Sequence, residues 1–261
     1  MMPPILAEVL SSLPDEGQAV EDIHVYANWV LSRAERPAIS TLFHGMPGLE
    51  PAGHCRTWLG DHLNRPAREV AARCLGSHSA LELALGMSLL GAALPLPEEL
   101  IEGNAIDLCA PLARRLRTVF IGHFAEGEQW REAGWPVDIV ELFPQPGDIP
   151  WEASHEALAR AELVLITGLT LVNGTFEEVI RRSPGAIRAL LGPTVPPSPV
   201  FFRHGIHLAG FTLVEDLEGT IRFCRLGGGG LAQAPEGLFR KVNIASPEFR
   251  KEVEHVAWAT A

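Results

Sequence analysis

The sequence predicts an α/β protein: an N-terminal α+β domain followed by a Rossmann-like domain on a mostly parallel sheet. Three observations carry this. After residue 104, short apolar runs alternate with helical stretches, the pattern of strands joined by crossover helices. The run 161–168 is apolar up to Thr167-Gly168, like a buried central strand feeding a turn. With 261 residues, 47% of them hydrophobic, the chain can bury a core and fill two domains.

Residues 4–13 read as a short amphipathic helix stopped by Pro14. Residues 20–31 and 38–43 are strand-like and flank 33–37, so a hairpin is expected. A Gly/Pro-rich loop, 44–51, follows, and 66–75 and 80–94 read as helices. Ser79 and Glu82 have capping-box spacing for the second, and Pro95 and Pro97 end it. Residues 96–102 read as a linker, which divides the chain into domains 1–97 and 98–261.

In the second domain, strands are expected at 116–121, 137–142, 163–167, 186–191 and 208–214, with a sixth at 241–244. Helices are expected at 126–133, 154–161, 175–182, 200–205 and 216–223. The first four strands should be neighbours in one parallel sheet.

Composition excludes several classes. A net charge of -11 with no basic stripe argues against nucleic-acid binding. The only lysines, Lys241 and Lys251, lie near the C-terminus, away from every site-like segment, which argues against a Schiff-base or Walker-type lysine. Met1-Met2-Pro3-Pro4 does not open a signal peptide, and no stretch approaches the roughly 20 apolar residues of a membrane span. Cys55, Cys74, Cys109 and Cys224 form no Cys-x-x-Cys pair, so a cytoplasmic protein with free thiols is expected. The pairs Cys74/His78, His54-Cys55 and His204/His207 complete no tetrahedral ligand set, and no protein-bound metal is expected. Neither G-x-S-x-G nor H-E-x-x-H occurs, so no reaction and no cofactor are specified.

A ligand site is expected at the carboxyl ends of the parallel strands. Gly168, Thr170, Asn173 and Thr175 crowd the end of one strand. Asn173 or Thr175 alternatively caps the next helix, with Glu178 completing a capping box after Thr175. His123 and Glu141 end two other strands, where either could move a proton or accept from a ligand. The Gly122 turn carries only one glycine of G-x-G-x-x-G, and Glu141 stands about twenty residues on, where an acidic group would meet ribose hydroxyls; ordinary sheet architecture explains the pattern better than a nucleotide does. Gly192 and Thr194 belong to a proline-stiffened loop suited to a pocket wall, and 227–230 is either an anion-wrapping loop or a flexible turn.

Several segments in order resemble a family of unknown function called the putative heavy-metal chelation family. They are Val119-Phe120-Ile121-Gly122-His123-Phe124, Val140-Glu141, Pro146-Gly147-Asp148, and the run from Ile166 through Thr175. Leu191-Gly192-Pro193-Thr194 through Pro199 follows, and Asn104-Ala105-Ile106-Asp107 precedes them. The resemblance implies an enolase N-terminal-like α+β domain joined to a Rossmann-like domain across a cleft, and a role in handling or making a metal-chelating small molecule.

The expected function is therefore binding of a small polar or anionic metabolite, a metal chelate or chelator precursor included, in an interdomain cleft. His123, Glu141, Gly168, Thr170, Asn173, Thr175, Gly192 and Thr194 are the expected ligand-binding residues. A metal would enter only through that ligand, and homodimerisation is left open. Two alternatives remain at this stage: a transferase holding a nucleotide-like cofactor, and an interaction protein with a vestigial cleft.

Overall fold

A computed structural model describes residues 2–14, 18–45, 49–50 and 58–258, without the side chains of 253–258. The first part opens with helix α1 (Pro4–Ser11), followed by strands β1 (Asp22–Val25), β2 (Trp29–Arg33) and β3 (Pro37–Thr41). The expected strand 20–31 is itself a hairpin, because β1 pairs antiparallel with β2 around residues 26–28. Tyr26 N–H donates to Trp29 O and closes that turn without glycine or proline, so the apolar run gave no sign of the break. The expected turn at 33–37 joins β2 to β3, giving an antiparallel sheet β1-β2-β3.

Helix α2 (Ala67–Leu75) packs against helix α3 (Ala80–Ala93), which covers this sheet. Almost every side chain of α3 is buried, as its all-round apolar sequence requires. The Ser79/Glu82 capping box is not formed. Ser77 takes that role two residues earlier: its hydroxyl donates to the Glu82 carboxylate and accepts from Ser79 N–H. Ser79 Oγ is buried without a partner.

The expected linker contributes a strand, β4 (Ile101–Glu102). Helix α4 (Ala105–Ala113), which sequence periodicity missed, begins at Asn104, whose side chain accepts from Ile106 N–H. Its interior Pro111 interrupts the helical sequence pattern.

The alternating part then runs β5 (Thr118–Ile121), α5 (Ala125–Glu132), β6 (Val137–Glu141), β7 (Ile149–Pro150), α6 (His155–Arg160) and β8 (Leu163–Thr167). It continues α7 (Thr170–Asn173), α8 (Phe176–Arg182), β9 (Ile187–Leu191), α9 (Val200–Arg203), β10 (Leu208–Val214), α10 (Leu217–Arg225), β11 (Phe239–Ala245) and α11 (Pro247–Trp258). The eight-stranded sheet has the order β4-β11-β10-β9-β8-β5-β6-β7. The strands ending at Ile121, Glu141, Thr167 and Leu191 are parallel neighbours, as expected. β11 and β4 close one edge antiparallel.

One apolar core runs through both sheets, joining Leu85, Leu89 and Leu90 of α3 to Val164, Leu190 and Phe211 of the large sheet. Chain order reverses between β5 and β8: β6 lies on one side of β5, and β8, next in the alternation, on the other. At such a reversal the connections leave toward opposite faces and open a crevice at the carboxyl ends of the strands. Gly122 sits there at φ 103, and a Cβ on it would stand 3.1 Å from Thr167, so glycine lets β5 and β8 close up at the crevice floor. No helix among the described residues is long and apolar enough to cross a membrane.

Candidate functional site

The crevice opens into a cavity of about 750 Å³ between the small sheet and the carboxyl ends of the large one. Trp29 and Phe43 come from the small sheet and the segment after it, Asn104 and Glu126 from the starts of α4 and α5, and His123, Gly192 and Lys241 from the large-sheet unit. The volume falls within the roughly 300–1,000 Å³ of small-molecule sites.

His123 is held in place at the wall of this cavity by acidic neighbours. Its Nδ1 donates to Asp148 Oδ2 at 3.1 Å, and its Nε2 stands 3.3 Å from Glu128. The Asp148 side chain has no exposed surface; it also accepts from Gln145 N–H and from Arg131, which in turn holds Gly147 O. The segment Pro146-Gly147-Asp148 thus brings its carboxylate to the Nδ1 edge of His123 and sets the ring. Asn104 Nδ2 donates to Glu126 Oε1 at 3.3 Å and ties the first turns of α4 and α5 together.

The glycine run 227–230 divides its work. Gly227 and Gly228 donate their N–H groups to Cys224 and Phe223 carbonyls and end α10, while Gly229 and Gly230 border the cavity. Trp29 Nε1 holds the run in place through Gly228 O at 2.8 Å.

The residues expected from the sequence to form one site separate into three places. His123 and Gly192 line the large cavity. Glu141, Thr170, Asn173 and Thr175 line a smaller one of about 40 Å³, and Phe43 and Thr167 border both. Gly168 and Thr194 are packing and joining residues. A Cβ on Gly168 would stand 2.8 Å from Val195 Cγ2, and the Thr194 hydroxyl accepts from Thr41 N–H at 3.2 Å, linking the large sheet's loop to the small sheet.

Asn173 has a local task. Its Oδ1 accepts from both the N–H and the hydroxyl of Thr175, at 3.0 and 2.7 Å, and shapes the turn into α8. Thr175 makes no side-chain cap, and Glu178 pairs with Arg181 and Arg182, so the expected Thr175/Glu178 capping box does not form. Thr170 donates its hydroxyl to Thr167 O at 2.8 Å. Glu141 accepts from Leu142 N–H at 3.0 Å, and burial pushes its carboxyl above the usual range.

Lys241 corrects a second expectation: it belongs to the wall of the large cavity, carried there by β11 lying antiparallel to β10. Nothing near Lys241 in sequence signals this placement. Cys109 and Cys224 are buried, and burial pushes their thiols up to about 12 and about 11, which removes them as nucleophiles. Helix α2 stops at Leu75, so Cys74 and His78 do not share a helix face. The His54-Cys55 pair lies outside the described residues. Among the described residues, no three His, Cys, Asp or Glu side chains gather as a metal ligand set.

A family described as putative heavy-metal chelation matches residues 104–243. Two solved structures of proteins of unknown function from that family share the fold. One, from Desulfitobacterium hafniense, is 20% identical with a TM-score of 0.78; the alignment covers 93% of this chain and 98% of that one. The other, from Pyrococcus horikoshii, is 16% identical with a TM-score of 0.70, again over 93% and 98% of the two chains. No curated protein matches the chain.

Proposed function

The chain belongs to the putative heavy-metal chelation family, and we propose that it binds a small polar or anionic metabolite, a metal chelate or chelator precursor included, in its large cavity. The observation that carries this reading is the cavity's position at the reversal of strand order. There an apolar, aromatic wall holds a few convergent polar groups: His123 fixed by Asp148, the linked Asn104 and Glu126, and Lys241. Trp29 and Phe43 offer ring faces, and the polar groups select orientation. Among the described residues no side chains supply clustered donors for a bare metal, so a metal is expected to arrive wrapped in the donors of its chelator. The nucleotide alternative asked Glu141 to accept from ribose hydroxyls; Glu141 lines the cavity of about 40 Å³, which has no room for a sugar.

Native mass spectrometry of the intact protein, purified without added ligand, tests this. The expected spectrum carries a non-covalent adduct of small-molecule mass. Thr212→Phe, which places a ring into the large cavity from β10, should lack it. A bare wild-type chain, or an adduct that Thr212→Phe retains, contradicts the proposal.

A further inference from the structure

We propose that the small cavity beside Thr167 binds a protonated amino group, an alkylammonium ion held on the Glu141 carboxylate. The site goes beyond the reading of the large cavity and stands on its own residues. Its volume of about 40 Å³ admits one group of ammonium size, since a water molecule's share of liquid is about 30 Å³.

Charge points to a cation. Among the described residues, Glu141 is the only ionisable side chain lining this cavity. One of its oxygens accepts from Leu142 N–H, and among the described residues no Arg or Lys pairs with it. Burial is the largest influence on the carboxyl and raises it, Asp148 adds in the same direction, and the Leu142 N–H and His123 offset this only in part. A half-buried carboxylate left in this condition gains most from a partner that brings positive charge and N–H donors.

Hydrogen-bond capacity points the same way. The Thr170 hydroxyl hydrogen is turned to Thr167 O, and that of Thr175 to Asn173 Oδ1. Both oxygens keep lone pairs, and an ammonium carries three donors and no acceptor. The walls favour an organic cation over a metal ion. The stacked pair Phe43 and Phe143, with centroids 6.1 Å apart, lines the cavity with Trp151, whose ring already carries the Arg182 guanidinium 4.8 Å from its centroid, so the phenylalanine rings are the ones left for a ligand cation. Aromatic rings attract ammonium groups, whereas a hard metal ion asks for about six or more oxygen ligands. Because Phe43 and Thr167 border both cavities, the amine can arrive as a free molecule or as an arm of the large-cavity ligand.

Saturation-transfer NMR with methylammonium chloride, at constant ionic strength and about pH 8, where both amine and carboxylate are charged, tests the site. Transfer to the methyl protons is expected in the wild type. Thr212→Phe changes the wall of the large cavity and not that of the small one, so it should preserve transfer and separates this test from that of the proposed function. Glu141→Gln keeps the shape and the acceptor for Leu142 N–H, and should weaken binding about tenfold or more, with an unchanged urea midpoint confirming the fold. Tetramethylammonium, which has no N–H donor, should not compete. The proposal is overturned by absent transfer in the wild type, by equal transfer in Glu141→Gln, by loss of transfer in Thr212→Phe, by equal competition from tetramethylammonium, or by sodium displacing methylammonium at equal concentration.

Discussion

His123 Nδ1 lies 3.1 Å from Oδ2 of Asp148, a carboxylate with no exposed surface. That contact joins the end of β5 to the loop after β6 and, at the wall of the large cavity, leaves His123 Nε2 3.3 Å from Glu128. A carboxylate so enclosed is needed by every donor around it: the ring, the Arg131 guanidinium and Gln145 N–H.

Asp148→Ala should therefore lower stability by about 1.5–3 kcal/mol, the usual cost of losing hydrogen bonds to a charged group. Urea unfolding measures it. An unchanged midpoint would mean that the loop holds His123 without the carboxylate.

Asn173→Ala should lower stability by about 0.5–2 kcal/mol, as loss of a side chain that satisfies a helix-start N–H does. The same variant should leave the native-mass adduct of the large cavity intact, because Asn173 lines only the small one. Loss of the adduct with an unchanged urea midpoint would reverse this assignment.

Stability should also fall on mild acidification. His207 accepts from Arg188 N–H through Nδ1 at 3.1 Å, and burial, helped by the Arg188 charge, holds its ring neutral to a lower pH than in the unfolded chain. His62 is buried with Nε2 unpartnered and is shifted in the same direction. Protons bind the unfolded state first, so stability is lost as pH drops below about 6.5, the ordinary histidine value, and continues to fall until the folded rings protonate. His207→Asn retains an acceptor for Arg188 N–H and should flatten part of that slope in urea melts between about pH 7 and 5. An identical slope in the variant would assign the pH dependence elsewhere.

How much of this was legible in the sequence depended on whether the signal was local. The parallel strands announced themselves through short apolar runs ending in glycine or polar residues, and their pairing in one parallel sheet was legible, but not their order. The two-residue strands β4 and β7 carry no periodicity, because only their neighbours make them strands. The Tyr26–Asn28 turn hid inside a continuous strand-like run, and Pro111 masked α4. The cluster Thr170, Asn173 and Thr175 was visible because it is contiguous, but spacing along one strand end cannot say on which side of Thr167 it lies. The wall of the large cavity comes from Trp29, Asn104, His123, Gly192 and Lys241, residues far apart in the chain that only the sheet order brings together. Lys241 was set aside for that reason: its distance along the chain from the other motifs concealed the antiparallel return of β11 beside β10.

The proposed seat of the small molecule is the large cavity at the strand-order reversal. A crystallographic fragment soak tests it most directly, because it works without the natural ligand in hand. Bound fragments should concentrate in the cavity of about 750 Å³ between Trp29, His123 and Gly192, with ring fragments against Trp29 or Phe43 and polar atoms toward His123 or Asn104. Fragments that bind elsewhere on the molecule and leave that cavity untouched would contradict it.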